Sequence, residues 1–270
     1  MDSLIMKKLL LALGIAASVA LVGCGKKEEP TAASGLTPLR VAFDPTYEPF
    51  TFKTADGKPA GFDIDMAEAI CAEIQRQCVY VEQPWDSMIP GLLAQQYDVI
   101  ISSMSINEER QQVIDFSNKY YSTPSRIVVK EGTAFENAGS LKGKKLGVLK
   151  GSPQERYAMS ELATAGVTVV AYEEQDQVYL DIRSGRLDGT VVDAVEVTAG
   201  FLSKPEGDEF GFVGPVLNDT KYFGTGMGVA LRKGQDELKQ QINQAIQNIR
   251  ANGTYQTISA KYFDFDVYGD

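Results

Sequence analysis

Short apolar runs alternate with amphipathic stretches along most of the chain. The apolar runs predict strands at Leu39–Phe43, Val79–Val81, Val99–Ile101, Ile127–Val129, Leu146–Leu149, Val167–Val170, Thr190–Val192 and Met227–Leu231. The amphipathic stretches predict helices, the first with the apolar face Met66, Ala69, Ile70 and Ile74, and others around Met88–Leu93, Glu155–Ala165, Val178–Arg183 and Gln235–Ala251. This alternation predicts an α/β protein built from βαβ units with mainly parallel sheets.

Polar residues follow four of the predicted strands at the point where each strand ends. They are Asp44, Ser102–Ser105, Gly151–Ser152 and Asp193. Open α/β sheets bind ligands at the carboxyl ends of their strands. The pattern therefore predicts a ligand site assembled from these positions.

Arg110 is the candidate anion-binding residue. Asn107 is a good N-cap for a short helix, which places Arg110 in its first turn. A cation is unfavourable at this end of a helix, unless an anion is held jointly by the arginine, nearby hydroxyls and free backbone N–H groups. Ser102, Ser103 and Ser105 supply such hydroxyls. The alternative is a surface arginine, but the other strand-end residues favour binding of a carboxylate.

Composition excludes several classes of function. The 270 residues allow one large or two modest domains, and the formal net charge of -10 argues against a nucleic-acid partner. The chain has no histidine, so Ser-His-Asp and Cys-His catalysis are excluded. No CxxC pair or carboxylate-rich loop of EF-hand spacing is present, so we expect no structural metal. No cofactor is expected either.

The N-terminus has the pattern of an export signal. Lys7 and Lys8 precede the apolar run Leu9–Val22, which is too short for an ordinary membrane span. The following Gly23 and Cys24 complete a sequence that resembles the bacterial lipoprotein box. We expect a signal peptide at residues 1–23, acylation of Cys24 and a flexible tether at 24–38. A cleaved signal without acylation is the alternative.

Cys71 and Cys78 remain as an even pair in an exported, oxidising compartment. They could join the end of one helix to the next strand, and closing so short a loop would stabilise the fold by roughly 2–2.5 kcal/mol. Two free buried cysteines are the alternative.

A set of motifs occurs in one order along the chain: Tyr47–Phe50, Gly61–Asp65, Trp85–Pro90, Ser102–Arg110, Asp115–Ser117, Tyr222–Gly224 and Lys261–Phe265, with the Cys71/Cys78 spacing. In this order the chain resembles the bacterial polar amino-acid-binding proteins of ABC importers (solute-binding protein family 3). It is most similar to the lysine/arginine/ornithine- and histidine-binding members.

The resemblance implies a two-lobed periplasmic-binding-protein fold of type II, with two mainly parallel sheets joined by a two-segment hinge. Lobe 1 would comprise residues 36–123 and 222–270, and lobe 2 residues 124–221. The crossings would lie near Ser122–Ser125 and Asn218–Tyr222, and closure around a ligand is the expected motion.

The resemblance also implies roles at the two charged ends of an amino acid. Arg110 matches the arginine that binds the α-carboxylate, helped by backbone N–H groups near Ser105 and Ser152. Asp193 matches the carboxylate that pairs with the α-ammonium, alongside Ser103 and Ser105. From the residues alone, Asp193 could equally cap the following helix.

The ligand side chain would lie between two aromatic rings. Tyr47 and Trp85 match that pair, Asp44 matches the carboxylate facing the basic end of the side chain, and Leu149 and Gln154 match the other wall. Each cation–π contact would contribute roughly 0.5–2 kcal/mol. Judged alone, Tyr47 and Trp85 could be core residues, and Asp44 could simply begin a turn.

One residue departs from the family pattern, and one acidic pair has no expected part in binding. Pro153 stands where close relatives have a backbone N–H directed at the carboxylate, and proline cannot donate. Either Ser152 replaces that donor through its N–H and hydroxyl, or the carboxylate receives one bond fewer. We expect Asp63 and Asp65 to act only as N-terminal helix charges.

We expect a monomeric, lipid-anchored binding protein that is located in the periplasm or at the cell surface. It would deliver arginine, lysine, ornithine or histidine to an ABC importer permease. The alternative is an enzyme resembling the cyclohexadienyl or arogenate dehydratases that share this scaffold. Such an enzyme needs a general acid in the cleft, for which Asp44, Asp193 and Glu155 are candidates.

Overall fold

The computed structural model describes residues 35–269. The expected signal peptide, the expected acylation site Cys24 and residues 24–34 of the expected tether lie outside the described residues. Within residues 35–269, no helix has both the length and the apolar character that crossing a membrane requires.

Strands and helices alternate along the described residues. The strands are β1 (Thr37–Phe43), β2 (Thr46–Tyr47), β3 (Thr51–Lys53), β4 (Pro59–Ala60), β5 (Arg76–Glu82), β6 (Val99–Ile100), β7 (Ile114–Tyr121), β8 (Ser125–Lys130), β9 (Lys145–Leu149), β10 (Thr168–Tyr172), β11 (Gly189–Asp193), β12 (Phe210–Leu217) and β13 (Met227–Arg232). The α-helices are α1 (Phe62–Glu73), α2 (Met88–Leu93), α3 (Glu108–Gln111), α4 (Pro153–Tyr157), α5 (Gln175–Arg183), α6 (Ala194–Val197), α7 (Thr220–Phe223), α8 (Asp236–Ala251) and α9 (Thr254–Ser259).

Short 3₁₀ and π segments extend several of these helices. The 3₁₀ segments are Trp85–Ser87, Ala138–Leu141, Ala163–Ala165 and Pro205–Gly207, and the π segments are Ala158–Leu162 and Thr198–Leu202. The helix predicted around Glu155–Ala165 is therefore composite. It begins as α4 and ends in 3₁₀ geometry before Gly166, whose left-handed φ of 92° terminates it.

Two five-stranded sheets form the cores of two lobes, and their strand orders are β5-β1-β6-β13-β7 and β10-β9-β11-β8-β12. In the first sheet only β13 opposes its neighbours, and in the second only β8 does so. The predicted two-lobed α/β fold is confirmed, and four of the five strands in each sheet run the same way. The sheets are nevertheless mixed, because one reversed strand makes two of the four neighbouring pairs antiparallel in each.

The reversed strands are the first that the chain enters after passing from one sheet to the other. β8 follows β7, and β13 follows β12 and α7. A helical crossover returns the chain to the far edge of a sheet and yields a parallel strand. Direct passage between the sheets instead brings the chain in at the edge where the parallel strands end. The starts of β8 and β13 therefore lie at the same edge as the ends of β1, β6, β9 and β11.

Helices cover the sheets and complete the hydrophobic cores. α8 has apolar residues at helical spacing, and they are buried against α1 and the first sheet: Leu238, Ile242, Ala245, Ile246 and Ile249. Each fully buried Leu or Ile contributes roughly 1.5–3 kcal/mol. Cys71 in α1 and Cys78 in β5 form a disulfide with Cα atoms 5.9 Å apart, so the expected pairing is present.

Candidate functional site

A cavity lies between the two lobes, where the strand ends meet. Nine of the eleven predicted ligand-binding residues line it: Asp44, Tyr47, Trp85, Ser102, Ser103, Ser105, Leu149, Ser152 and Gln154. Arg110 and Asp193 lie one contact behind the lining, against Ser105 and Thr123 respectively. The strand ends therefore converge on one cavity.

The lining also contains Pro153, which the resemblance had already placed near the ligand carboxylate. Four further lining residues were not indicated by the polar residues after strands: Thr123, Ser125, Phe223 and Met227. Ser125 and Met227 begin the reversed strands β8 and β13, and Thr123 precedes β8. A pattern of polar residues after strands cannot find positions before strands. The crossing segments were the one signal available, because any residue there must lie near both lobes.

Arg110 is a buried cation beside the cavity. Asn107 caps α3 by accepting from the Arg110 backbone N–H at 3.0 Å, as predicted. The guanidinium donates to the carbonyl and hydroxyl of Ser105, at 3.2 and 2.8 Å. It also packs over Trp85, with the Arg110 Cζ atom 5.2 Å from the centroid of the ring. Among the described residues, no carboxylate lies within ion-pair distance of it. Burial lowers the pKa of Arg110 to about 10, so the side chain stays charged at neutral pH.

Asp193 caps a helix and also contacts the lining of the cavity, whereas the sequence left helix capping and ligand binding as alternatives. Its Oδ1 accepts from the backbone N–H groups of Val195 and Glu196, at 2.8 and 3.1 Å, and so caps α6. Its Oδ2 accepts from the hydroxyl of Thr123, which lines the cavity. Burial raises the pKa of Asp193 to about 6. A cation entering the cavity would favour the ionised form.

Asp44 and the two aromatic residues form one wall. Asp44 accepts from the N–H and hydroxyl of Thr46, at 2.9 and 2.7 Å, and from the Trp85 N–H at 3.1 Å. It therefore organises the turn after β1 and also faces the cavity. Burial raises its pKa above the ordinary value. Tyr47 and Trp85 line the cavity and also pack against the hydrophobic clusters of the first lobe, so their core and cavity roles coincide.

The turn around Pro153 decides which donors remain at that side of the cavity. The Ser152 N–H donates to the Leu149 carbonyl at 3.2 Å, so this N–H is already used within the turn. The Ser152 hydroxyl accepts from the Glu155 N–H at 3.1 Å, which leaves its own proton as a donor. Gln154 donates to the Ser125 hydroxyl at 2.9 Å. Of the two donors that Ser152 could offer in place of the missing N–H, the backbone N–H is thus used within the turn, whereas the hydroxyl keeps its proton.

Asp63 was expected to act only as a helix N-terminal charge, and this expectation is wrong. The carboxylate is fully buried and accepts from the Ser103 N–H at 2.6 Å, from the Ser103 hydroxyl at 3.1 Å and from the Tyr120 hydroxyl at 2.9 Å. Burial raises its pKa to about 7. Asp65, in contrast, binds Lys261 at 2.9 Å near the surface.

Three ion pairs join residues of the first lobe to residues of the second, and we call them the rim pairs. They are Asp86 with Lys150 at 3.1 Å, Glu48 with Lys204 at 3.6 Å, and Glu109 with Arg156. All are partly exposed, so solvent screens them and each one alone contributes little to stability. Within residues 35–269, no three Cys, Asp or Glu side chains are grouped so that they could hold a metal ion.

Two α/β lobes with a cavity between them at their strand ends are the architecture of the solute-binding class of proteins. The model of the bacterial extracellular solute-binding proteins, family 3, matches residues 39–265. The chain belongs to this family.

Relatives similar over nearly the whole chain have names that specify amino acids. The L-arginine-binding protein of Pseudomonas aeruginosa is 48% identical over 98% of this chain and 99% of its own length. The lysine/arginine/ornithine-binding periplasmic protein of Escherichia coli is 45% identical over 98% of this chain and its full length. The histidine-binding periplasmic protein of Salmonella typhimurium is 43% identical with the same coverage.

Solved structures of amino-acid-binding proteins are also similar to this chain. A Salmonella typhimurium periplasmic binding protein described as highly specific for arginine has a TM-score of 0.78 and 32% identity, covering 84% of this chain and 99% of its own. An ancestral arginine-binding protein bound to glutamine has a TM-score of 0.76 and 35% identity, covering 84% and 98%. An ancestral amino acid-binding protein described as a precursor of cyclohexadienyl dehydratase has a TM-score of 0.73 and 29% identity, covering 84% and 95%.

Proposed function

We propose that this protein binds a basic L-amino acid in the cavity between its lobes and delivers it to an ABC importer. The observation that carries the proposal is the buried guanidinium of Arg110, which has no carboxylate partner among the described residues. A buried charge without a partner is costly, so a ligand that supplies a carboxylate gains affinity there. The names of the arginine-, lysine/arginine/ornithine- and histidine-binding relatives support the same ligand class.

The two ends of the amino acid backbone are held from different lobes. Arg110 binds the α-carboxylate, and the hydroxyl protons of Ser105 and Ser152 are available as further donors. Asp193, from the second lobe, attracts the α-ammonium. A ligand that touches both lobes favours the arrangement in which the lobes are together, so binding drives closure.

Asp44 selects the charge of the ligand side chain. The side chain lies between Tyr47 and Trp85, whose faces suit a guanidinium, an imidazole or an alkylammonium group. A neutral side chain leaves the buried Asp44 carboxylate without a cation, which penalises such ligands. Leu149 and Gln154 form the opposite wall.

The family and the pattern of the N-terminus support a location and a set of partners. We propose export to the periplasm or cell surface with anchoring through lipidated Cys24, a monomeric state, and docking of the closed form on the importer permease. Lobe 1 comprises residues 36–123 and 222–270, and lobe 2 residues 124–221, with the hinge near Ser122–Ser125 and Asn218–Tyr222.

The test is isothermal titration calorimetry of the mature chain after denaturation, removal of bound ligand and refolding. The ligands are the twenty amino acids and ornithine. Sub-micromolar binding confined to arginine, lysine, ornithine and histidine supports the proposal, and Arg110→Ala serves as the non-binding control. Binding of none of them overturns it.

A dehydratase activity is the second candidate, and the structural similarity to the precursor of cyclohexadienyl dehydratase favours testing it. The raised pKa of Asp193, about 6, would suit a general acid. Incubation with prephenate or arogenate, followed by absorbance of the aromatic product, detects this activity. Product formation that is lost in Asp193→Asn would replace transport as the assigned function.

A further inference from the structure

Asp63 is a buried carboxylate that lies behind the cavity and takes no direct part in the proposed binding. It stands in the first turn of α1, and its three hydrogen-bond donors are the Ser103 N–H, the Ser103 hydroxyl and the Tyr120 hydroxyl. Two of the three come from a residue that lines the cavity. The contact therefore links the carboxylate directly to the binding surface.

Ser103 has an unusual backbone conformation. Its φ is +52°, one of three positive values among the described non-glycine residues, and the other two belong to Gln75 and Gln95, which do not line the cavity. The left-handed region is unfavourable for residues with a Cβ, so the surrounding structure must hold it in place. Asp63 Oδ2 accepts both the N–H and the hydroxyl proton of Ser103, and these bonds hold that conformation.

The same bonds set the polarity of the Ser103 hydroxyl. Its proton points to Asp63, so toward the cavity the oxygen can act only as an acceptor. Ser105 has the opposite polarity, because its oxygen accepts from Arg110 and its proton remains as a donor. An acceptor next to a donor matches the α-ammonium and α-carboxylate of one amino acid.

We propose that Asp63 is a positioning residue for the α-ammonium group of the ligand: it holds Ser103 in the left-handed conformation and directs its hydroxyl oxygen toward the cavity. This inference rests on the proposed amino-acid binding. It differs from the role of Asp44, because every amino acid has an α-ammonium group. Loss of Asp63 must therefore weaken all ligands by a common factor.

The first test compares Asp63→Asn with Asp65→Asn by calorimetric titration with arginine, lysine and glutamine. Asp65 is a matched control on the same helix, where it binds Lys261 and Tyr262 away from the cavity. Asp63→Asn should weaken every ligand that the unaltered protein binds by roughly 10- to 100-fold, the usual effect of losing a hydrogen bond to a charged group. Asp65→Asn should leave affinities unchanged. An unaltered protein that binds no amino acid overturns the proposed function, whereas equal affinities in Asp63→Asn and the unaltered protein overturn only this inference.

A double-mutant cycle separates positioning from a general effect on the fold. Glycine adopts positive φ without the steric cost, and Ser103→Gly also removes the hydroxyl. In the Ser103→Gly background, Asp63→Asn should cost less than about threefold in affinity, since the group it positions is gone. A loss equal to that in the unaltered background overturns the inference. If Asp63→Asn does not fold, Ser103→Ala replaces it, with a common loss for all ligands expected and no loss overturning the inference.

Discussion

Replacement of Asp44 by asparagine isolates the contribution of one charge to ligand selection. Asp44 is 4% exposed, so its charge is little screened by solvent. At an effective dielectric constant of about 20, a ligand cation 4 Å away gains about 4 kcal/mol of Coulomb energy. Desolvation of both charges cancels part of this gain, and hydrogen bonds to charged groups contribute about 1.5–3 kcal/mol net. Asp44→Asn should therefore weaken arginine and lysine by roughly 10- to 150-fold.

The ratio of affinities for arginine and glutamine is the decisive readout. The Asp44→Asn variant also disturbs the hydrogen bond that the backbone N–H of Trp85 donates to Asp44 Oδ2 at 3.1 Å. We expect this defect to affect all ligands alike. The charge affects only cationic ligands, so the arginine/glutamine ratio should fall by the full factor of roughly 10 to 150. Thr46→Val is the matched control, because it removes a hydroxyl donor to Asp44 and keeps the charge. Calorimetric titration of each variant with both amino acids gives the ratio, and equal losses for the two ligands in Asp44→Asn would refute the reasoning.

Three other perturbations have distinct expected outcomes. Arg110→Ala should lower the affinity for every amino acid by at least about 100-fold, because it removes the partner of the α-carboxylate that all of them share. Titration with cationic and neutral amino acids tests this, and a loss of affinity for only some of them would contradict it. Asp193 has a pKa of about 6 and must be ionised to pair with an ammonium group, so affinity should fall as pH drops below 6, by up to about tenfold per pH unit. Titration between about pH 5 and 7.5 should show this slope and a flatter profile in Asp193→Asn, and a flat profile in the unaltered protein would exclude the role. Cys71→Ser combined with Cys78→Ser should lower the free energy of unfolding by about 2.5 kcal/mol in urea denaturation without changing the arginine affinity; a lost affinity at unchanged stability would show that the disulfide serves the site.

Strand ends were predictable because parallel strands from βαβ units have a known relation to their ligand sites. Asp44, Ser102–Ser105 and Asp193 could be placed by that rule alone. Ser125 and Met227 could not, since they begin strands that run against the others. The direction of a strand after a crossing between lobes depends on the edge at which the chain enters the sheet. The local hydrophobic pattern does not indicate this edge.

Several local interpretations competed in the sequence but coexist in the structure. Asp44 organises a turn and faces the cavity, and Asp193 caps a helix while contacting the lining residue Thr123. A carboxylate has two oxygens and about four lone-pair sites, so one side chain can satisfy backbone donors and keep capacity for a ligand. Asp63 was missed for a related reason. Its position in the first turn of α1 explained it fully at the level of sequence, and its contact with Ser103, forty residues away, did not enter that explanation.

The rim pairs also act when no amino acid is present. Opposite charges attract the lobes to each other, so we expect a fraction of the empty protein to be closed. The measured dissociation constant would then equal the intrinsic constant divided by that fraction. Salt screens such exposed pairs, with a Debye length of about 8 Å at physiological ionic strength. Raising the salt concentration lowers the closed fraction and weakens every ligand by the same factor. We therefore expect overall affinity and the ranking of amino acids to be separate properties: mutations of the rim pairs should change affinity while the cavity wall keeps its preference.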